Sequence, residues 1–193
     1  MSDEHVTHII GGILQQVQAS MAQELGISIE TCGPRVSQML EGKRQRAGDD
    51  ETYAEALVQN ICFFLHMEDF INDRIVDALE GWDRASADEF QDQLMEEREV
   101  ALEKGLERYE DDFRRDGQSL SDWLAQLELD YGYHYVVFTL LTWFTEVLLS
   151  EENRYHLETV SDHNSADVIM VLGGSLQVHA NALLGNVKVG ELQ

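Results

Sequence analysis

Apolar residues recur along most of this chain at the three-and-four spacing of a helix face. The first run is Val6, Ile9, Ile10, Ile13, Leu14, Val17 and Met21, which predicts a helix over about Asp3–Leu25. Gly11-Gly12 falls in its middle, where each glycine costs about 1 kcal/mol against alanine. A close helix–helix approach is the expected compensation. Gly26 and the segment Ile27–Gly33 break the pattern, and Pro34 suits the first turn of a short second helix, Pro34–Ala47, stopped by Gly48.

Asp49, Asp50 and Glu51 favour the start of a third helix running to about Leu79. Leu57, Ile61, Phe64, Leu65, Ile71 and Ile75 lie on its apolar side. A short link, Gly81–Ala85, makes the fourth helix an antiparallel neighbour. Ser86-Ala87-Asp88-Glu89 reads as a capping box for it. Phe90, Leu94, Ala101, Leu102, Leu106, Tyr109 and Phe113 mark its inward side, and Gly117 its end. Its outer faces are charged, with Glu110–Arg114 and Asp111–Arg115 at pairing distance along a helix.

A fifth helix, capped by Ser119 or Ser121, carries residues 131–149, the most apolar and aromatic stretch in the chain. This stretch approaches the roughly 20 residues of a membrane span. Glu146, His134 and three threonines interrupt it, so a buried central helix is expected instead. Residues 150–163 are polar and read as a loop. Asn164 with Asp167 starts a sixth helix through about Leu184, and Gly185–Gln193 forms a weakly patterned tail. The predicted fold is one all-α domain, an antiparallel bundle of five to six helices, three of them long, around residues 131–149.

Composition agrees. A chain of 193 residues with 44% hydrophobic content and one proline can bury a full core, roughly two-thirds of its unfolded surface. Cys32 and Cys62 form no CxxC pair, which suits a reducing cytoplasm. The acidic N-terminus lacks the basic region of a signal peptide. Charge adds more: 37 acidic residues face 13 basic ones, for a net −24. Acids spread along the whole chain suit a high-salt cytoplasm, where screening tolerates self-repulsion. An acidic mimic of nucleic acid is a further reading. Direct nucleic-acid binding is not expected, because Lys43-Arg44-Gln45-Arg46 is too small a basic footprint.

Candidate chemistry lies on two helices. On the third, Glu68 sits among core positions and needs a partner; Arg98 on the fourth helix is the expected one. Cys62, His66, Asp69 and Asp73 share another face, which suits metal ligands or simply a solvated polar side. On the fifth, Tyr131, Tyr135, Thr139, Thr142 and Glu146 form one polar stripe, either a pocket lining or a seam with satisfied hydroxyls. Glu68, His66, His134 and Glu146 are therefore the candidate ligands for a metal or small cofactor.

Ferritin-like di-iron sites need Glu-x-x-His pairs, and none occurs here. Nucleotide-binding, zinc-protease and hydrolase motifs are also absent, as is any arrangement implicating Asp162-His163 beyond a helix cap. The sequence reads as non-catalytic. Its one internal echo is Gly11-Gly12-Ile13-Leu14-Gln15 against Gly173-Gly174-Ser175-Leu176-Gln177. The expectation is an interaction or regulatory protein that forms homo-oligomers through its terminal helices, residues 3–25 and 164–184. Gly11, Gly12, Gly173 and Gly174 would form the association face; a protein partner of another kind is the alternative.

Overall fold

The computed structural model describes residues 3–26, 29–81, 87–153 and 165–185. Ser86, Asn164, residues 154–163 of the expected loop and 186–193 of the tail lie outside these. Six α-helices follow one another among the described residues: α1 Asp3–Leu25, α2 Ile29–Ala47, α3 Asp50–Gly81, α4 Ala87–Tyr109, α5 Leu120–Leu148 and α6 Ser165–Leu184. No strand occurs in them. The fold is the expected all-α bundle.

At the centre lies α5, packed against α1, α3, α4 and α6. Tyr131, Val136, Leu140, Leu141, Phe144 and Leu148 are buried along it. Its aromatic half meets α3, where Phe64 lies 5.5 Å from the Tyr131 ring and 5.6 Å from Phe138. Leu57, Ile61, Phe64, Ile71 and Ile75 are buried as the periodicity requires, with Leu65 half-buried. The α1 positions Val6, Ile10, Ile13, Leu14, Val17 and Met21 are buried as well. Ser119 caps α5, its hydroxyl accepting from the Asp122 amide.

Several local departures have physical causes. Helix α2 begins at Ile29 and runs through Pro34, because Cys32, Val36 and Leu40 form one buried stripe across it. That packing outweighs the backbone hydrogen bond a proline removes. Helix α4 ends at Tyr109 and tightens into a 3-10 turn, Glu110–Phe113. The tighter winding brings Arg114 to Asp111 at 2.8 Å and frees Arg115 to reach Glu51 at 3.6 Å. Those contacts replace the expected Glu110–Arg114 and Asp111–Arg115 pairs. Gly117, which follows, holds φ at 71°, a conformation glycine adopts without strain.

The largest correction concerns α4. Leu102 was expected inside and is 67% exposed. The buried arc instead runs through Phe90, Leu94, Ala101 and Gly105. A Cβ at Gly105 would come within 2.5 Å of the Cys62 carbonyl oxygen, so the absence of a side chain sets how closely α3 and α4 approach. Gly105 therefore makes a close helix crossing. Around Gly11 and Gly12 there is open space, so the approach expected there does not form among the described residues.

Candidate functional site

The face of α3 bearing Cys62, His66, Asp69 and Asp73 is not a solvated polar side. Cys62 is buried, His66 and Asp69 are half-buried, and only Asp73 is exposed. Packing against α4 covers the first of these, and burial pushes the Cys62 thiol up to about 11. The thiol is thus held neutral and inert. His66 Nε2 meets Glu97 Oε1 at 2.6 Å, while its buried Nδ1 has no partner among the described residues. The Tyr109 hydroxyl donates to Asp69, which also takes Arg108 at 3.0 Å.

Glu68 is paired, but not with Arg98. His134 Nδ1 lies 3.0 Å from Glu68 Oε1 across the α3–α5 seam, with the two side chains 17% and 13% exposed. Arg98 sits at the margin of the buried α4 arc and stays exposed. That position leaves its charged head in water, whereas His134 projects from α5 into the seam beside Glu68. Burial raises the Glu68 pKa, and the His134 hydrogen bond pulls it partly back.

Of the four candidate metal ligands, the structure brings together Glu68 and His134. His66 is engaged by Glu97, a residue its sequence context does not single out. Glu146 lies further along α5, roughly 18 Å from His134 along the helix axis. Among the described residues, no three His, Cys, Asp or Glu side chains are grouped as a metal site requires.

The tyrosine–threonine stripe of α5 is a seam. Tyr131 is buried and stacks on Tyr135 at 6.4 Å. Thr139 and Thr142 donate to the carbonyls of Tyr135 and Phe138 at 2.7 and 2.9 Å, so their hydroxyls need no outside partner. At its far end, Glu146 enters an open cleft of about 430 Å³ between α1 and α5, lined also by Trp143 and Glu24. The cleft edge is fixed by Asn153, whose amide donates to Val147 O at 2.8 Å and faces Gln16 Oε1 at 3.3 Å. Burial, then the nearby Glu24 carboxylate, raises the Glu146 pKa.

The short basic cluster is used internally. Lys43 donates to Asn60 at 3.1 Å and lies over the Tyr131 ring, while Arg44 reaches Asp50 at 3.3 Å and Glu128 at 3.8 Å.

A different kind of surface occurs on α1 and α6, which touch each other as well as α5. Residues 5–23 contain no Asp, Glu, Lys or Arg, and α6 contains only Asp167. Helix α6 buries Val168, Leu172, Leu176, Ala180 and Leu183 in the bundle, and its outer side mixes apolar residues with the exposed Asp167, Gln177 and Asn181. Met170 and Val178 are 69% and 67% exposed, and Gly174 lies between them on the same stripe with open space around it. Gly173 and Gly12 are exposed and equally open, and Gly11 is half-buried. By length and composition Ala166–Leu184, not the 131–149 stretch, qualifies as a membrane-crossing helix, although 28% of its span is buried in the bundle. Comparison with known proteins finds no matching family, curated protein or solved structure.

Proposed function

We propose that the protein is a non-catalytic helical interaction module that associates with a second copy of itself through α1 and α6, in a cytoplasm of high salt. The observation that carries this reading is the outer stripe Met170–Gly174–Val178, apolar and exposed on a helix whose other side is already packed. A soluble chain gains by covering such a stripe. Small residues at its centre let a facing helix come close, which would offset the helix-propensity cost of the paired glycines.

Charge favours a second copy over an unlike partner. Two chains at −24 each repel wherever their acidic sides meet, and the repulsion is least where the surface is uncharged. The α1–α6 side comes nearest to that, with residues 5–23 uncharged and Asp167 the one charge of α6. A basic partner would be drawn to the acidic helices α3 and α4 instead.

Sedimentation of the full chain tests the reading. A dimer or larger assembly is expected, reduced to a monomer by Met170→Glu with Val178→Glu while the helical circular dichroism is unchanged. A wild-type chain that sediments as a monomer at high protein concentration overturns it.

A further inference from the structure

We propose that the cleft between α1 and α5 binds the ammonium head of a small organic cation, with Trp143 lying against it and Glu146 and Glu24 supplying the countercharge. This rests on observations separate from the self-association face.

Between Tyr131 and Leu149, Glu146 is the one Asp, Glu, Lys or Arg residue; between His5 and Leu25, Glu24 is the one such residue. The two lone carboxylates of these otherwise uncharged segments line the same cleft. Among the described residues no arginine or lysine lines it, and none of them makes a hydrogen bond or ion pair to either carboxylate. Other shielded carboxylates of the bundle are engaged: Glu68 by His134, Glu97 by His66, and Glu128 by Tyr53 and Arg44. Glu146 is half-buried beside a like charge, a placement that a bound cation would relieve.

The other lining groups select the kind of cation. A hard metal ion wants a close shell of several oxygens, whereas this cleft offers about 430 Å³, the size of a small-molecule site. An indole in the lining with two carboxylates suits a diffuse, weakly hydrated ammonium, which a ring quadrupole attracts as well as the charge does. The amides of Gln16 and Asn153 at the rim can hydrogen-bond a polar group carried by the same molecule.

Choline and its uncharged isostere 3,3-dimethylbutan-1-ol are the probes, titrated into the full chain at low ionic strength by calorimetry, with calcium chloride as a third titrant. Saturable choline binding is expected, with none for the isostere. Glu146→Gln and Trp143→Leu, both at half-buried positions, should each weaken it by about tenfold without changing the helical signal. The proposal is overturned if choline does not saturate, if the isostere binds equally well, if calcium occupies the site in its place, or if both variants bind choline like wild type.

Discussion

A carboxylate on the apolar side of a long helix must be paired or protonated, and Glu68 is held by the imidazole of His134. Removing one partner strands the other, which costs more than replacing both. His134→Ala should therefore destabilise the fold by about 1–3 kcal/mol, while Glu68→Met with His134→Leu should cost clearly less. Urea unfolding of the three chains checks this, and a double variant at least as damaged as the single would refute the pairing argument. Glu146 gives a pH-dependent counterpart. Its pKa is raised in the folded state, so the fold holds that proton more tightly than the unfolded chain does. Its contribution to stability is full below the ordinary carboxylate range and is lost as pH rises through the raised value. Glu146→Gln should thus raise the melting temperature at pH 7, with the gain fading near pH 4; an equal gain at both would point to shape instead of charge. The buried position of Glu68 was legible from periodicity alone. Its partner was not, because choosing His134 over Arg98 depends on how α4 rotates about its own axis.

That rotation is set at the scale of elements by a residue with no side chain. Reading α4 for apolar spacing favours Leu102, but Gly105 gives α3 a closer contact than any leucine permits, and the helix turns to use it. A glycine on a charged helix carries no pattern signal, which is why this crossing escaped the sequence. Elsewhere the elements were legible: α1, α3, α5 and α6 follow their apolar periods, and Ser119 caps as its type suggests. Two glycine substitutions should separate the two kinds of site. Gly105→Ala should cost about 1–3 kcal/mol through overpacking against backbone. Gly12→Ala, into open space, should add up to about 1 kcal/mol to the stability of the isolated chain. Denaturant unfolding at concentrations that keep the chain monomeric reads both, and a destabilising Gly12→Ala would reveal a contact within the chain.

For the molecule as a whole, the acids behind the net charge of −24 are spread over every helix, with α1 and α6 carrying only Asp3, Glu4, Glu24 and Asp167 of them. Compaction brings these like charges together, so the folded state gains from screening. The melting temperature should climb as sodium chloride rises from about 0.1 M to about 1 M, where the screening length falls from about 10 Å to about 3 Å. A melting temperature that stays flat would show that the acids lie too far apart to repel. The overall charge was legible at once from composition. The uncharged run 5–23 and the single charge of α6 are legible in the sequence as well, but that they lie side by side emerges only in the fold.

The meeting of α1 with α5 and α6 also bears on the order in which the protein takes shape during synthesis. Helix α1 is synthesised before the other five helices, yet the residues that cover its apolar side belong to α5 and α6. Helices α2, α3 and α4 have near neighbours in sequence and can begin to pair as they emerge, whereas α1 must wait with Ile10, Ile13, Leu14 and Val17 uncovered. Contacts so distant along the chain form slowly, and apolar surface left open in that interval is what chaperones recognise. The same helix is therefore made before the other five and is among the last of them to be locked in place.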